Sequence, residues 1–466
     1  MLALWLLAGT LIGRYIFQAW QTWCTRVPGP WFANVTRLVL IYYEWTRRRR
    51  QYIHGLHEQY GDVVRLAPDQ VSFINLEGMK EIYQSGGSGY DKSDFYDMFK
   101  QYDQRTMFSM LGREEHAQRK KLFAERYAMT NVARPEVMVG ISTRAMKVVE
   151  KCKASAGSHL DAYFILHCYA IDGVSHLLFN PGGTDTLGNP SHREYVEELT
   201  YYDNMRRRMV EMYLPWLHKI LSRFETSTWG ISQRFVLDQV EQSRLGPSAV
   251  LHKLSKNPAL STVQAAAECM DHMAAGIETT GDGLCFLMHE LSLPRSHHIQ
   301  DKLRQELQSN PTAKLESLEY LDVVVKEGLR RFPPIPMSLP RLVPSGGRTI
   351  CGYTLPENTI VSCCAYSMHL LNENVYPDAY AFKPERWFDK ERLPDMNRLM
   401  FTFSAGGRGC VGKNLALLEM KTLLREVYSR FKTTLPPEMP TEMEMDDQVV
   451  ASRPKDFKAL LVFEEC

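Results

Sequence analysis

Ten residues near the C-terminal end, Phe403-Ser404-Ala405-Gly406-Gly407-Arg408-Gly409-Cys410-Val411-Gly412, constrain this chain more than any other stretch. Their four glycines let the backbone approach a flat ligand more closely than side chains would permit. Directly after them, Ala416, Met420, Leu424, Val427 and Phe431 recur at the spacing of one helix face. A glycine-rich loop therefore presents a cysteine at the mouth of a helix, where free amide donors and the positive helix end stabilise a thiolate. A lone Cys-x-Gly is most often a buried cysteine beside a turn. Phe, Arg, Cys and four glycines in this order are much harder to obtain by accident.

The chain has 466 residues, 44% of them hydrophobic, with 55 Lys plus Arg against 54 Asp plus Glu. That apolar share is ample for the core of one large or two moderate domains and excludes disorder over most of the length. The near-zero net charge argues against a nucleic-acid binder, which needs a basic excess to track phosphates. An enzyme or a binding scaffold remains. Ten cysteines, at 24, 152, 168, 269, 285, 351, 363, 364, 410 and 466, are scattered without a C-x-x-C pair. They fit a reduced, cytosol-facing chain whose thiols are mostly small buried hydrophobes, and they lack zinc-ligand spacing.

Residues 1–20, MLALWLLAGTLIGRYIFQAW, are an apolar run about the length that crosses a bilayer, with Trp5, Tyr15 and Trp20 as interfacial aromatics. Arg14 lies in the second half, where its side chain can snorkel to the headgroups. No Lys or Arg precedes the run and no small-x-small cleavage site follows it cleanly, so it reads as an uncleaved anchor. Arg26, Arg37 and Arg47 to Arg50 put the positive flank after the span, which keeps the body in the cytosol. Val27-Pro28-Gly29-Pro30 is a stiff exit from the membrane. The Arg47 to Arg50 run is either a membrane-surface helix or a solvated basic face.

From residue 135 to about 330 apolar residues return every three or four positions with few interruptions, which predicts helices. Residues 63–75 and 348–361 are β-branched and apolar runs bounded by Gly, Pro and Asn, and 448–452 and 457–463 are further strand-like pieces. The expected fold class is mainly α with small β-sheets (α+β), built from segments near both ends of the sequence. No repeat or low-complexity linker divides the body.

Three more motifs accompany the cysteine loop. Ala275-Gly276-Ile277-Glu278-Thr279-Thr280 falls in a helix expected from Ser261 as N-cap to Leu291. A glycine inside a helix costs about 1 kcal/mol relative to alanine, so Gly276 wants a reason. The small pair Ala275 and Gly276 would let a flat cofactor sit against the helix, with a hydroxyl from Thr279 and an acid from Glu278. Glu327-Gly328-Leu329-Arg330 puts an acid and a base on one helix face, and Pro384-Glu385-Arg386-Trp387 follows. A thiolate presented as Cys410 would be is a good axial ligand for haem iron.

Together these segments resemble the cytochrome P450 superfamily: its F-x-x-G-x-R-x-C-x-G haem loop, its A-G-x-[DE]-T-T helix, its E-x-x-R and its P-E-R-[FW], in the family's order. The resemblance runs from about Pro28 to the C-terminus. Pro333-Pro334, Leu339-Pro340-Arg341 and Gly346-Gly347 look especially like filamentous-fungal microsomal members.

The resemblance implies a cytochrome P450 fold binding haem b, with the Cys410 thiolate on the iron and Phe403 and Gly412 against the cofactor. Arg408 and Arg341 would hold propionates. Where many members place Trp-x-x-x-Arg, this chain has His116-Ala117-Gln118-Arg119-Lys120, and His116 with Lys120, or Arg119 in its stead, is the corresponding propionate contact. Thr279 and Glu278 would deliver protons during oxygen activation. Glu327, Arg330 and Arg386 would form a buried network that holds the cysteine loop.

The implied reaction is monooxygenation of a sizeable apolar small molecule, in the manner of fungal secondary metabolism of terpenoids, polyketides or alkaloids. The implied electron donor is an NADPH-dependent cytochrome P450 reductase, with cytochrome b5 as a further partner, at the endoplasmic reticulum membrane. The expected division is a transmembrane anchor over 1–23, a proline hinge and basic juxtamembrane segment over 24–50, and a haem-binding monooxygenase domain over 51–466. The rival readings are a haem-thiolate isomerase or dehydratase that does not use dioxygen, and a non-catalytic haem sensor.

Overall fold

The computed structural model describes residues 13, 22–201, 205–222, 229–241 and 245–465. The expected anchor over 1–23 lies outside these apart from Gly13, Thr22 and Trp23.

Among the helices, α1 (Leu76–Gln84), α2 (Arg113–Lys121), α3 (Pro135–Ala154), α4 (Ala162–Phe179), α5 (Thr262–Leu291), α6 (Glu319–Arg331) and α7 (Lys413–Tyr428) position the candidate site. The strands are β1 (Val63–Ala67), β2 (Gln70–Phe73), β3 (His159–Asp161), β4 (Arg341–Leu342), β5 (Arg348–Ile350), β6 (Tyr353–Leu355), β7 (Ile360–Cys363), β8 (Phe431–Thr434), β9 (Met445–Asp447), β10 (Ser452–Pro454) and β11 (Leu460–Glu465). The fold is mainly helical with small sheets, as the hydrophobic patterns predict.

Helix α5 begins where the sequence places it. Ser261 is the N-cap, its hydroxyl accepting from Gln264 N at 3.2 Å while the Gln264 side chain accepts from Ser261 N at 3.0 Å. This reciprocal box satisfies two amides that a helix start otherwise leaves without partners. The helix then passes through the core, packed along α4, and nearly every residue of α4 is buried. Among the described residues α4 is the one helix long and apolar enough to cross a membrane, but 83% of it is buried in the protein, as befits a core helix.

The close approach of α4 and α5 explains Gly276. A Cβ there would lie 2.8–2.9 Å from three side-chain atoms of Val174. Gly276 thus seats α4 while keeping part of its surface free, and Ala275 beside it is exposed.

The largest sheet runs β1-β2-β7-β4, with β2 and β7 parallel in register Val71 to Val361, so segments far apart in sequence form one unit. Strands β3, β11 and β8 make a second sheet, and β5-β6 and β9-β10 are hairpins. The strand expected at 448–452 is instead the turn between β9 and β10, and the one expected at 457–463 starts later, after a short 3-10 turn over Lys455–Phe457.

Only part of the arginine run is solvated: Arg48 is exposed, while its neighbours meet acids. Arg49 pairs with Glu44 at 3.0 Å, Arg50 with Asp447 at 2.9 Å and Arg47 with Asp446 at 2.8 Å. Arg49 and Arg50 are buried, the first beside Glu44 just ahead of the run and the second beside Asp447 of the C-terminal hairpin.

Candidate active site

The cysteine loop folds on itself before α7. Cys410 N donates to Phe403 O at 2.9 Å, Gly409 N to Gly406 O at 2.9 Å, and Ser404 N to Phe401 O at 2.8 Å. Gly406 has φ +68°, and a Cβ there would lie 2.1 Å from Tyr83 O, so only glycine fits against the end of α1. Lys120 of α2 donates from Nζ to Gly407 O at 2.9 Å and Gly409 O at 3.1 Å, which pins the loop from outside. Gly412 is the N-cap of α7, and the Lys413 ammonium lies 5.6 Å from the centre of the Phe403 ring.

Burial pushes the Cys410 thiol up. The amides of Gly412 and Lys413 and the charges of Lys120 and Lys413 pull it back toward the thiolate. Cys410 shows open surface although protein surrounds it deep in the fold. The same combination marks Glu278, exposed midway along a mostly buried helix. Free surface at such depth faces an internal space.

On α5, Ala275 is exposed and Thr279 half-buried, and the Thr279 hydroxyl donates to Ala275 O at 2.7 Å. Burial, and secondarily the neighbouring Asp282, raise the Glu278 carboxyl above its usual range, with Arg208 and Arg453 opposing.

A group of buried cations stands near the loop. Arg408 donates to Leu111 O and Asp91 Oδ1, each at 3.0 Å. Arg341, buried on β4, donates from Nη1 to Tyr96 Oη at 2.9 Å and Pro340 O at 3.0 Å. The Nε atoms of both arginines are buried without a hydrogen-bond partner among the described residues. Lys92, also buried, donates to Phe108 O and lies 4.4 Å from the Tyr96 ring centre. Burial first, then Arg341 and Arg408, push its ammonium well below its ordinary range. Burial pushes Arg408 down to about 10, and His116 is pushed down to about 3 by burial, then by Lys92, Arg408, Lys120 and Arg341.

Of the ion pairs among the described residues, only Arg408 with Asp91 involves this group. Buried charges of one sign are stable only beside opposite charge. The arrangement is made for an anion.

The three candidates of α2 separate. His116 faces the cations, Lys120 holds the loop carbonyls, and Arg119 turns to Glu268 of α5 at 2.7 Å. Arg119 is thereby occupied. Lys92 had no signal in the sequence: a lone lysine in a loop is ordinary, and only the fold buries it beside two arginines.

Glu327 has no solvent exposure. It accepts from Arg330 Nε and Nη2 at 2.9 and 2.8 Å, Arg386 Nε at 3.0 Å, Trp387 Nε1 at 3.0 Å and Lys383 N at 2.9 Å. Both arginines spend their remaining donors on carbonyls of 369–381. His369 links this unit to the cysteine loop: its Nδ1 donates to Arg330 O at 3.0 Å, and its Nε2 accepts from Phe401 N at 2.9 Å. Thr402 adds a bond to Leu329 O at 2.8 Å.

A protein-family model described as cytochrome P450 matches residues 27–461. The chain is 29% identical over 445 residues to the cytochrome P450 monooxygenase mpaDE of Penicillium roqueforti (strain FM164), covering 85% of this chain and 51% of the relative. It is 28% identical over 483 residues to the cytochrome P450 monooxygenase stcB of Emericella nidulans, covering 97% and 91%. A pisatin demethylase of Fusarium vanettenii is 25% identical over 442 residues, covering 90% and 86%. The chain spans about half the length of the curated mpaDE relatives it matches.

Proposed function

The chain belongs to the cytochrome P450 family, and from that premise we propose that it is a haem-thiolate monooxygenase that inserts one atom of dioxygen into a largely apolar small molecule in fungal secondary metabolism. The observation that carries this reading is the buried cation group of Lys92, Arg341 and Arg408 close to the Cys410 loop, with a single acid paired to it. Haem b brings a soft-ligand iron and two carboxylates on one edge. A cysteine with free surface deep in the fold and buried cations with unsatisfied Nε atoms fit those needs.

In this reading Cys410 holds the iron, Phe403 and Gly412 lie against the cofactor, and Arg341, Arg408, Lys92 and His116 receive the propionates. Lys120 acts through the loop rather than on the cofactor. When bound, the haem would supply dioxygen activation, with the Cys410 thiolate as its electron-donating ligand. Gly412 N, Lys413 N, Lys120 and Lys413 favour the Cys410 thiolate against the burial that raises the thiol. Thr279 orients a proton donor at the α5 wall, and Glu278, whose raised pKa keeps it protonated further up the pH scale, supplies the proton. Glu327, Arg330 and Arg386 hold the loop in place. The isomerase and sensor readings give Glu278 and Thr279 no work.

Electrons come from an NADPH-dependent cytochrome P450 reductase, with cytochrome b5 as an accessory donor. Residues 1–23 form the membrane anchor, 24–50 the hinge and basic segment, and 51–466 the haem domain, on the cytosolic face of the endoplasmic reticulum. The exposed Trp31, Leu38, Tyr42, Trp216, Ile220 and Leu221 support a lipid-facing surface. The bond from Tyr213 Oη to Glu44 Oε2 at 2.7 Å ties the two segments that carry them.

The test is the red-shifted ferrous CO band. It should be present in the chain as isolated and absent in Cys410→Ala, and Thr279→Ala should raise the share of NADPH electrons that end as peroxide. A wild-type chain without the band refutes the reading.

A further inference from the structure

Behind Glu278 lies a buried group that the proposed mechanism leaves unused. Asp282 stands one turn further along α5 on the same face, and His167 of α4 brings Nε2 to 3.3 Å from Asp282 Oδ1. The ring reaches this place because the facing residue is Gly281, where a Cβ would lie 2.7–2.9 Å from three atoms of the imidazole. Neither Nε2 nor Oδ1 has another hydrogen-bond partner among the described residues, and both side chains are almost wholly buried.

The tautomer follows from the other nitrogen. His167 Nδ1 lies 2.7 Å from Tyr163 O, and a carbonyl only accepts, so Nδ1 carries a hydrogen. In a neutral ring Nε2 is then a lone pair. A lone pair against a carboxylate in a dry interior is repulsive, and one proton between the two atoms turns the contact into a strong hydrogen bond.

Charged and titratable groups face this pair from every side. Glu278 comes from the same helix, Arg453 from β10, Asp161 and Tyr163 from the head of α4, and Cys285 from the next turn of α5. Arg453, itself buried, donates from Nη1 to Thr200 O at 3.0 Å and brings Nε to 3.6 Å from Asp446 Oδ2, while Nη2 has no hydrogen-bond partner among the described residues.

We propose that Asp282 and His167 hold one shared proton and pass it to Glu278, as a proton store one helical turn behind the acid beside Thr279. When Glu278 gives up its proton, the Asp282 O–H bond breaks and a Glu278 O–H bond forms. Asp282 is left a carboxylate near Arg453, and His167 is neutral. Solvent returns the proton to Nε2 by way of half-buried Asp161, so the store is unchanged over a cycle. The inference rests on the monooxygenase reading.

Asp282→Asn is the discriminating variant, because its amide donates to a neutral Nε2 and keeps the contact while passing no proton. Infrared spectra of the full-length, haem-loaded protein at neutral pH should show a protonated-carboxyl band that shifts in D2O. That band should be lost in Asp282→Asn and displaced in His167→Gln, with the thiolate CO band unchanged. With reductase and NADPH alone, the ratio of water to peroxide formed should fall roughly tenfold in Asp282→Asn, less than removal of a direct proton donor costs. An unchanged infrared band or an unchanged ratio in Asp282→Asn overturns the store. A wild-type chain without the thiolate CO band overturns the monooxygenase reading instead.

Discussion

Replacing Glu327 by glutamine keeps the shape of the side chain and removes its charge. The carboxylate now accepts five hydrogen bonds, three of them from two guanidinium groups. Glu327 and Arg330 have no exposure and the Arg386 side chain only 7%, so solvent does not screen the loss. Breaking a buried pair by removing one partner costs about 3–5 kcal/mol, because the remaining charge keeps its burial and loses its counter-charge. For a chain of 466 residues, unfolding entropy of ~2 cal/mol/K per residue sums to roughly 1 kcal/mol/K, so the melting midpoint should fall by about 3–5 °C.

The local effect should be larger than this modest global shift. His369 and Thr402 tie Phe401 and Thr402, just ahead of Phe403, to the helix that carries Glu327. Glu327→Gln should therefore lose the thiolate CO band at temperatures where far-UV circular dichroism is still that of the folded chain. The assay is a parallel melt followed by both signals, with Glu327→Asp as a charge-retaining companion. A glutamine variant with the wild-type midpoint and an undiminished CO band would refute the claim that this network holds the loop.

Lys92→Met removes a buried cation that has no salt-bridge partner among the described residues; the haem-free protein should melt higher, while haem should dissociate about tenfold faster, in line with ~1.5 kcal/mol for one charge-assisted hydrogen bond. Faster release without the gain in the haem-free form would point to mere damage. His369, pushed from 6.5 down to about 3 by burial and Arg330, binds its proton only in the unfolded state across that window. Its contribution is therefore present above pH 6.5 and is lost as pH falls toward about 3. Because protonation of Nε2 also removes the acceptor for Phe401 N, acid titration should abolish the thiolate band before far-UV dichroism changes, and His369→Gln should flatten that transition.

The parts of this fold legible in the sequence are those whose cause is local. The Ser261 cap with Gln264 three residues on is a contiguous signal, and so is the glycine-rich approach to Cys410. The Glu327, Arg330 and Arg386 network is different. A Glu and an Arg three apart on a helix are ordinarily a surface pair, and only the resemblance to a known family joined them to Arg386. The sequence alone holds no trace of Trp387 Nε1 or Lys383 N completing the carboxylate's partners.

Where the reading failed, the deciding neighbour lay far along the chain. Within the arginine run, Arg47 and Arg50 are turned toward Asp446 and Asp447, about four hundred positions away. Gly276 has a neighbour the sequence did not name, Val174, because a helix glycine states that something approaches and not what. Gly281 is the same signal repeated five residues on, and what approaches there is the ring of His167. The two glycines thus differ in consequence: one brings an apolar residue that locks α4 to α5, the other brings an imidazole to an acid. Helix packing at the second position sets the chemistry available to Glu278, so the spacing of α4 and α5 belongs to the active site as much as to the core.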